Sequence, residues 1–183
     1  MTVTAYKWTV DRYHQAIKAG VFDDRSVELL QGEIILMPPE GELHAYNNTE
    51  TRDYLTRVLG NRAKIREAKP VTLPNNSEPE PDIAVVKPLG RVYLEHHPYP
   101  DDIFWLIEFS QATLSKDLGL KKDVYAEVGI QEYWVVDLNS VRVKVFRDLV
   151  DGEYATELTL TSGAIAPLAF PDLQIPIDRL CQV

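Results

Sequence analysis

Cysteine is almost absent: Cys181 is the only one in 183 residues. A lone thiol excludes an internal disulfide framework and any cysteine-built zinc site. So sparing a use of thiols fits a reducing compartment, and the cytoplasm is the expected location. No apolar run approaches the roughly 20 residues that cross a bilayer, so no membrane partner is expected. The opening stretch, Met1 to Val10, lacks the basic start and apolar core of a secretory signal. Positive charge is in short supply, with 19 Lys and Arg against 28 acidic residues and a net charge of −9. That balance argues against nonspecific coating of nucleic acid, yet leaves room for a nuclease with a local basic surface. Neither a P-loop nor a G-x-G-x-x-G turn occurs, so nucleotide-driven motion is not indicated. The G-x-S-x-G elbow of one serine-hydrolase class is missing as well.

What is present is a chain 45% hydrophobic, too apolar for disorder and long enough to bury a core. With no repeat or linker, residues 1–183 are expected to form a single domain. Thr9 to Ala19 reads as a capped helix ended by Gly20. Val27 to Met37 reads as extended, with a turn at Gln31-Gly32 and a stop at Pro38-Pro39. Helices are expected over His44 to Leu59 and Ser115 to Val128, each followed by a glycine. Strands are expected at Lys64 to Leu73, Ile83 to Val86, Ile103 to Phe109, Gln131 to Leu138, Val141 to Phe146 and Tyr154 to Thr161. Asp151-Gly152 is a hairpin turn. The tail from Pro167 to Leu180 is expected to lie over the edge of the core. Strands and helices mixed without strict alternation predict an α/β or α+β domain with a mixed sheet.

Charges inside apolar elements are the informative places. Asp82 opens the strand IAVV; it reads either as a strand-start turn residue or as a ligand. Glu108 follows five apolar residues, where a carboxylate is costly unless it is paired, hydrogen-bonded or metal-bound. If the two strands pair antiparallel, Asp82 and Glu108 meet at one end of the sheet, within reach of a shared cation. On a helical wheel at about 100° per residue, Lys121 falls inside the apolar arc of Leu120, Val124, Tyr125 and Val128. Lys122 falls toward its edge. An inward lysine wants an anion partner, although a snorkelling lysine is the plainer alternative. Two carboxylates and a lysine suit phosphodiester hydrolysis with Mg²⁺ or Mn²⁺, because oxygen ligands favour such ions.

The order Pro81-Asp82, then Ile107 to Ser110 (IEFS), then Lys121-x-x-x-Tyr125, then Gly129 to Asp137 (GIQEYWVVD) resembles a bacterial restriction endonuclease family, the Uma type. That family is a branch of the PD-(D/E)XK nucleases. Leu29 to His44 (LLQGEIILMPPEGELH) resembles its opening motif. The resemblance implies a restriction-endonuclease-like fold, a central mixed sheet flanked by helices. It also implies that Asp82 and Glu108 bind Mg²⁺ or Mn²⁺ and that DNA is the substrate. The superfamily's usual lysine position, two residues after the second acid, is Ser110 here. Lys121 matches the position that supplies the lysine from the following helix, where it would orient the attacking water. Glu33 and His44 match positions characteristic of the family. Each has a bland alternative: a hairpin-turn acid for Glu33 and a helix-start histidine for His44. Many relatives of the superfamily pair into dimers, so the resemblance allows a homodimer, although no interface signal is visible in this chain.

Arg52 to Lys69 carries six basic residues against Asp53 and Glu67. Arg62, Lys64 and Arg66 from this stretch, with Lys122 and Lys116 from the later helix, are the candidate nucleic-acid contacts, although a solvated surface is the plainer alternative. The run from Glu78 to Asp82 (EPEPD) is expected to make the site mouth acidic. Tyr133-Trp134 reads as core, Asp137 as a turn cap, and His96-His97 as a solvent-exposed pair without further zinc ligands. The leading expectation is a metal-dependent endonuclease; a catalytically inactive nuclease-fold interaction module is the alternative. A glycosidase built on Asp82 and Glu108 would leave Lys121 without a part.

Overall fold

The computed structural model describes residues 4–182. Residues 1–3 of the opening stretch, and residue 183 of the expected domain, lie outside them. Helix α1 (Val10–Lys18) begins at Thr9, whose side chain accepts from the Arg12 N–H. Strands β1 (Val27–Leu30) and β2 (Glu33–Leu36) form an antiparallel hairpin. Its turn uses Gln31 and Gly32, both at positive φ. Helix α2 (Glu42–Leu59) follows and ends at Gly60.

The centre is a six-stranded sheet of β3 (Lys64–Glu67), β4 (Ile83–Val86), β5 (Ile103–Ser110), β6 (Glu132–Asp137), β7 (Arg142–Val150) and β8 (Glu153–Leu160), in that spatial order. Every join is antiparallel except β5–β6, which is parallel. The expected mixed sheet is thus the observed one. The parallel join is spanned by the helical segment α3 (Leu114–Lys116), a π-helical turn (Asp117–Lys121) and α4 (Lys122–Glu127).

The sheet is covered on both faces, which explains why β4 is apolar at every position rather than alternating. Ile83 and Val85 join a cluster with Leu55 and Leu59 of α2, Trp105, Ile107 and Trp134. Ala84 and Val86 join the opposite cluster with Val124 and Tyr125 of α4, Leu106 and Tyr133. Tyr133 and Trp134 are fully buried, as core aromatics should be. Phe170, Ile175, Ile177 and Leu180 of the tail lie inside the first cluster, so the tail is core rather than a cover at its edge. A short ladder between β9 (Ala164–Ile165) and β10 (Ile175–Pro176) holds it there.

Three further expectations shift. The strand expected from Lys64 to Leu73 ends at Glu67. Ala68 turns the chain at φ 45°, and Pro70 offers no N–H to a ladder. Strand β7 runs on to Val150, and Asp151-Gly152, both at positive φ, close the hairpin with β8. His96 and His97 are half-buried rather than exposed. His96 stacks on Tyr99 at 4.3 Å, and His97 Nδ1 lies 3.3 Å from an Arg66 guanidinium nitrogen. No described helix is long and apolar enough to cross a membrane.

Candidate active site

Register brings the first two residues together. Ile83 of β4 faces Ile107 of antiparallel β5, which sets Asp82 beside Glu108 at one end of the sheet. The backbone N–H of Phe109 donates to Asp82 Oδ2 at 2.6 Å. Helix α2 adds His44, whose Nε2 lies 3.0 Å from the same oxygen. Burial opposes a charge on His44, but its bond to Asp82 and the nearby carboxylates of Asp82 and Glu40 raise its pKa.

Lys121 enters from the π-helical turn on the other side. Its Nζ donates to Glu108 Oε1 at 2.8 Å and lies 3.3 Å from Glu28 Oε2. Its side chain is 3% exposed, against 33% for Lys122. The wheel assumed 3.6 residues per turn, and a π turn is wider, yet the inward-outward distinction between the two lysines stands. Tyr125, one turn on, donates its hydroxyl to the same Glu108 oxygen at 2.9 Å. Burial pushes the Glu108 carboxyl up to about 8, with Lys121 pulling the other way and Asp82, Asp117 and Glu28 adding to the rise. Burial also works against the Lys121 charge, but Glu108, Glu28, Asp117 and Asp82 together hold the amine protonated.

His44, Asp82, Glu108 and Lys121 line a cavity of about 330 Å³ that also takes in Glu40, Glu80, Lys116 and Asp117. Its walls carry five carboxylates (Glu40, Glu80, Asp82, Glu108 and Asp117) against two lysines, Lys116 and Lys121. Burial raises the pKa of Glu80 and of Asp117. Glu40, His44 and Asp82 offer one ligand atom each within 4.8 Å of one another. His44 Nδ1 is buried without a hydrogen bond among the described residues and stands 3.8 Å from Glu40 Oε2. An oxygen-rich donor set with one imidazole, in a cavity with excess negative charge, is chemically suited to a divalent cation.

Other predicted residues are not brought to the cavity. Glu33 is an exposed residue of β2, outside the central sheet, and pairs with Lys7 at 2.5 Å. Arg62, Lys64, Arg66 and Lys122 all lie off the cavity wall. Arg62 is paired with Asp172 at 2.7 Å, and Arg66 bonds the Pro70 carbonyl and His97. Lys122 sits by Asp123 and over the Phe146 ring, while Lys64 is exposed on edge strand β3. Of the acidic run, Glu80 and Asp82 reach the cavity, but Glu78 is buried against His14 and Thr72.

Sequence reasoning passed over Glu28. It is wholly buried on β1, with Oε1 2.8 Å from Lys116 Nζ and Oε2 accepting from the Glu80 N–H at 3.3 Å. Burial works against its charge, but Lys121 and Lys116 lower its pKa overall. A carboxylate inside the apolar strand VELL is the same signal that marked Glu108. Asp117 was missed too. It accepts from the Ser110 and Thr113 hydroxyls, both at 2.6 Å, which pins the start of the π turn that carries Lys121.

A six-stranded mixed sheet with one parallel join and helices packed on both faces is the architecture that carries the site. A solved structure shares that fold, the crystal structure of "a putative nuclease belonging to DUF820" from Anabaena variabilis ATCC 29413. It superposes with a TM-score of 0.67 over 86% of this chain and 90% of that chain, at 19% identity. The family described as "Putative restriction endonuclease" (Uma2) matches residues 10–178. The chain belongs to that family. Among curated proteins, none matches.

Proposed function

We propose that this chain is an endonuclease that hydrolyses phosphodiester bonds in DNA with a bound Mg²⁺ or Mn²⁺. The observation that carries the reading is the meeting of Asp82, Glu108 and Lys121 on one cavity wall. Asp82 and Glu108 would hold the ion, with His44 and Glu40 beside them to complete or orient the ligand set. When bound, the ion supplies charge neutralisation for the scissile phosphate and acidifies a water.

The protein's own groups do the rest. Lys121 is held protonated by its carboxylate neighbours, so it is a donor that can orient the attacking water and offset charge on the phosphorane. Tyr125 fixes the Glu108 oxygen that Lys121 also holds. The water oxygen bonds to phosphorus, the ester P–O bond breaks, and a proton of the water ends on the departing oxygen, giving a phosphate monoester and a hydroxyl. DNA and divalent cation are both at hand in the cytoplasm, the location this reading favours. Residues 1–183 are read as one nuclease domain, supported by two core clusters that sandwich one sheet.

The test is incubation with plasmid and single-stranded DNA in Mn²⁺, in Mg²⁺ and in EDTA. Metal-dependent cleavage that disappears in Asp82→Ala is the expected result. No cleavage of any nucleic acid with any metal overturns it, and metal binding without turnover would assign the chain to an inactive interaction module instead.

A further inference from the structure

Glu28 is the buried charge that the reaction scheme leaves without a part. It stands on the β1–β2 hairpin, outside the central sheet, with no exposed surface at all. A carboxylate there is strongly unfavourable unless cations meet it. Two do, one on each oxygen: Lys116 at 2.8 Å and Lys121 at 3.3 Å.

The two lysines differ in what remains free. Lys121 is shared with Glu108 and is almost fully enclosed. Lys116 lines the cavity, its side chain is 22% exposed, and Glu28 is its one ion-pair partner among the described residues. A lysine amine carries three donors, so Lys116 retains donors that Glu28 does not use. Anchoring removes much of the rotamer freedom that an ordinary lysine loses on binding an anion. The rest of the cavity wall is dominated by carboxylates, which makes Lys116 the accessible cation beside the metal ligands.

We propose that Glu28 is a positioning residue that holds Lys121 at the reacting centre and fixes Lys116 on the cavity wall as the cation that binds a backbone phosphate of the substrate. The inference rests on the nuclease reading above. It assigns substrate contact to Lys116, the last residue of α3, rather than to the basic stretch around β3.

The experiment measures kcat and KM for plasmid and single-stranded DNA in Mn²⁺ over a range of KCl concentrations. It compares wild type with Lys116→Gln, Lys116→Arg and Glu28→Gln. Lys116→Gln should raise KM roughly tenfold, lower kcat much less, and flatten the slope of log(kcat/KM) against log[KCl] by about 1. Lys116→Arg should restore both KM and slope. Glu28→Gln should raise KM and also lower kcat, because Lys121 loses an anchor. Should Glu28→Gln fail to fold, the two variants at partly exposed Lys116 carry the test. Cleavage by the wild type with KM and salt slope unchanged in Lys116→Gln overturns the inference and leaves the nuclease reading standing. If the wild type cleaves nothing, the nuclease reading fails and this inference falls with it.

Discussion

Replacing Lys121 with methionine isolates the buried charge cluster. Methionine fills similar volume but carries no charge, so Glu108 and Glu28 lose the amine they share at 2.8 and 3.3 Å. Among the described residues Glu28 keeps Lys116 and the Glu80 N–H, whereas Glu108 keeps only the Tyr125 hydroxyl. Glu108 is therefore the group that suffers. Removing one partner of a buried ion pair costs about 3–5 kcal/mol when the other must stay charged. Glu108 can escape by taking a proton, because burial already pushes its carboxyl up to about 8 with Lys121 present. Well below pH 8 the proton is in place in both proteins; above pH 8 only the wild type ionises comfortably. The loss should thus approach 3–5 kcal/mol at pH 9 and be smaller by about 1–2 kcal/mol at pH 6. Urea denaturation in EDTA, followed through the buried Trp105 and Trp134, measures both values. A loss under about 1 kcal/mol at pH 9, or the same loss at both pH values, would refute the buried-pair reasoning.

Three further outcomes follow from the same geometry. In EDTA the wild type should lose stability as pH rises toward 9. The raised Glu108 carboxyl favours folding below its ordinary value near 4.5, and that contribution disappears as pH passes about 8; Mn²⁺ should restore it, and a melting temperature flat with pH would count against this. Lys121→Ala should lower kcat about 100-fold or more, while Lys122→Ala stays within about twofold, since Lys122 faces Phe146 and solvent; equal effects in a cleavage assay would contradict the assigned orientations. Ile107→Ala empties a fully buried position between β4 and β6 and should cost about 2–5 kcal/mol in denaturant titration, with less than about 1 kcal/mol showing that this face repacks freely.

Much of the fold was legible from residue order, because each element carries its own punctuation. Thr9 caps the first helix, Gly60 and Gly129 end the later ones, and Asp151-Gly152 closes the β7–β8 hairpin. The catalytic candidates stood out by one rule, a charge inside an apolar element. Glu108 and Lys121 show it clearly, whereas Glu28 is masked because its strand is short and sits beside a turn.

What the chain pattern could not convey is which charges meet. Arg62 and Arg66 look in sequence like free surface cations, yet Asp172 and the Pro70–His97 corner engage them from 110 and 4 to 31 residues away. Glu33 and Glu28 lie five residues apart on one hairpin, and packing alone sends one to solvent and the other to the centre of the charge cluster. Local periodicity separates inward Lys121 from outward Lys122, because on a helix that depends on nearest neighbours along the chain. The partner waiting there is set by long-range pairing, here the antiparallel register of β4 on β5 and the seating of the π turn above it, and only folding brings those surfaces together.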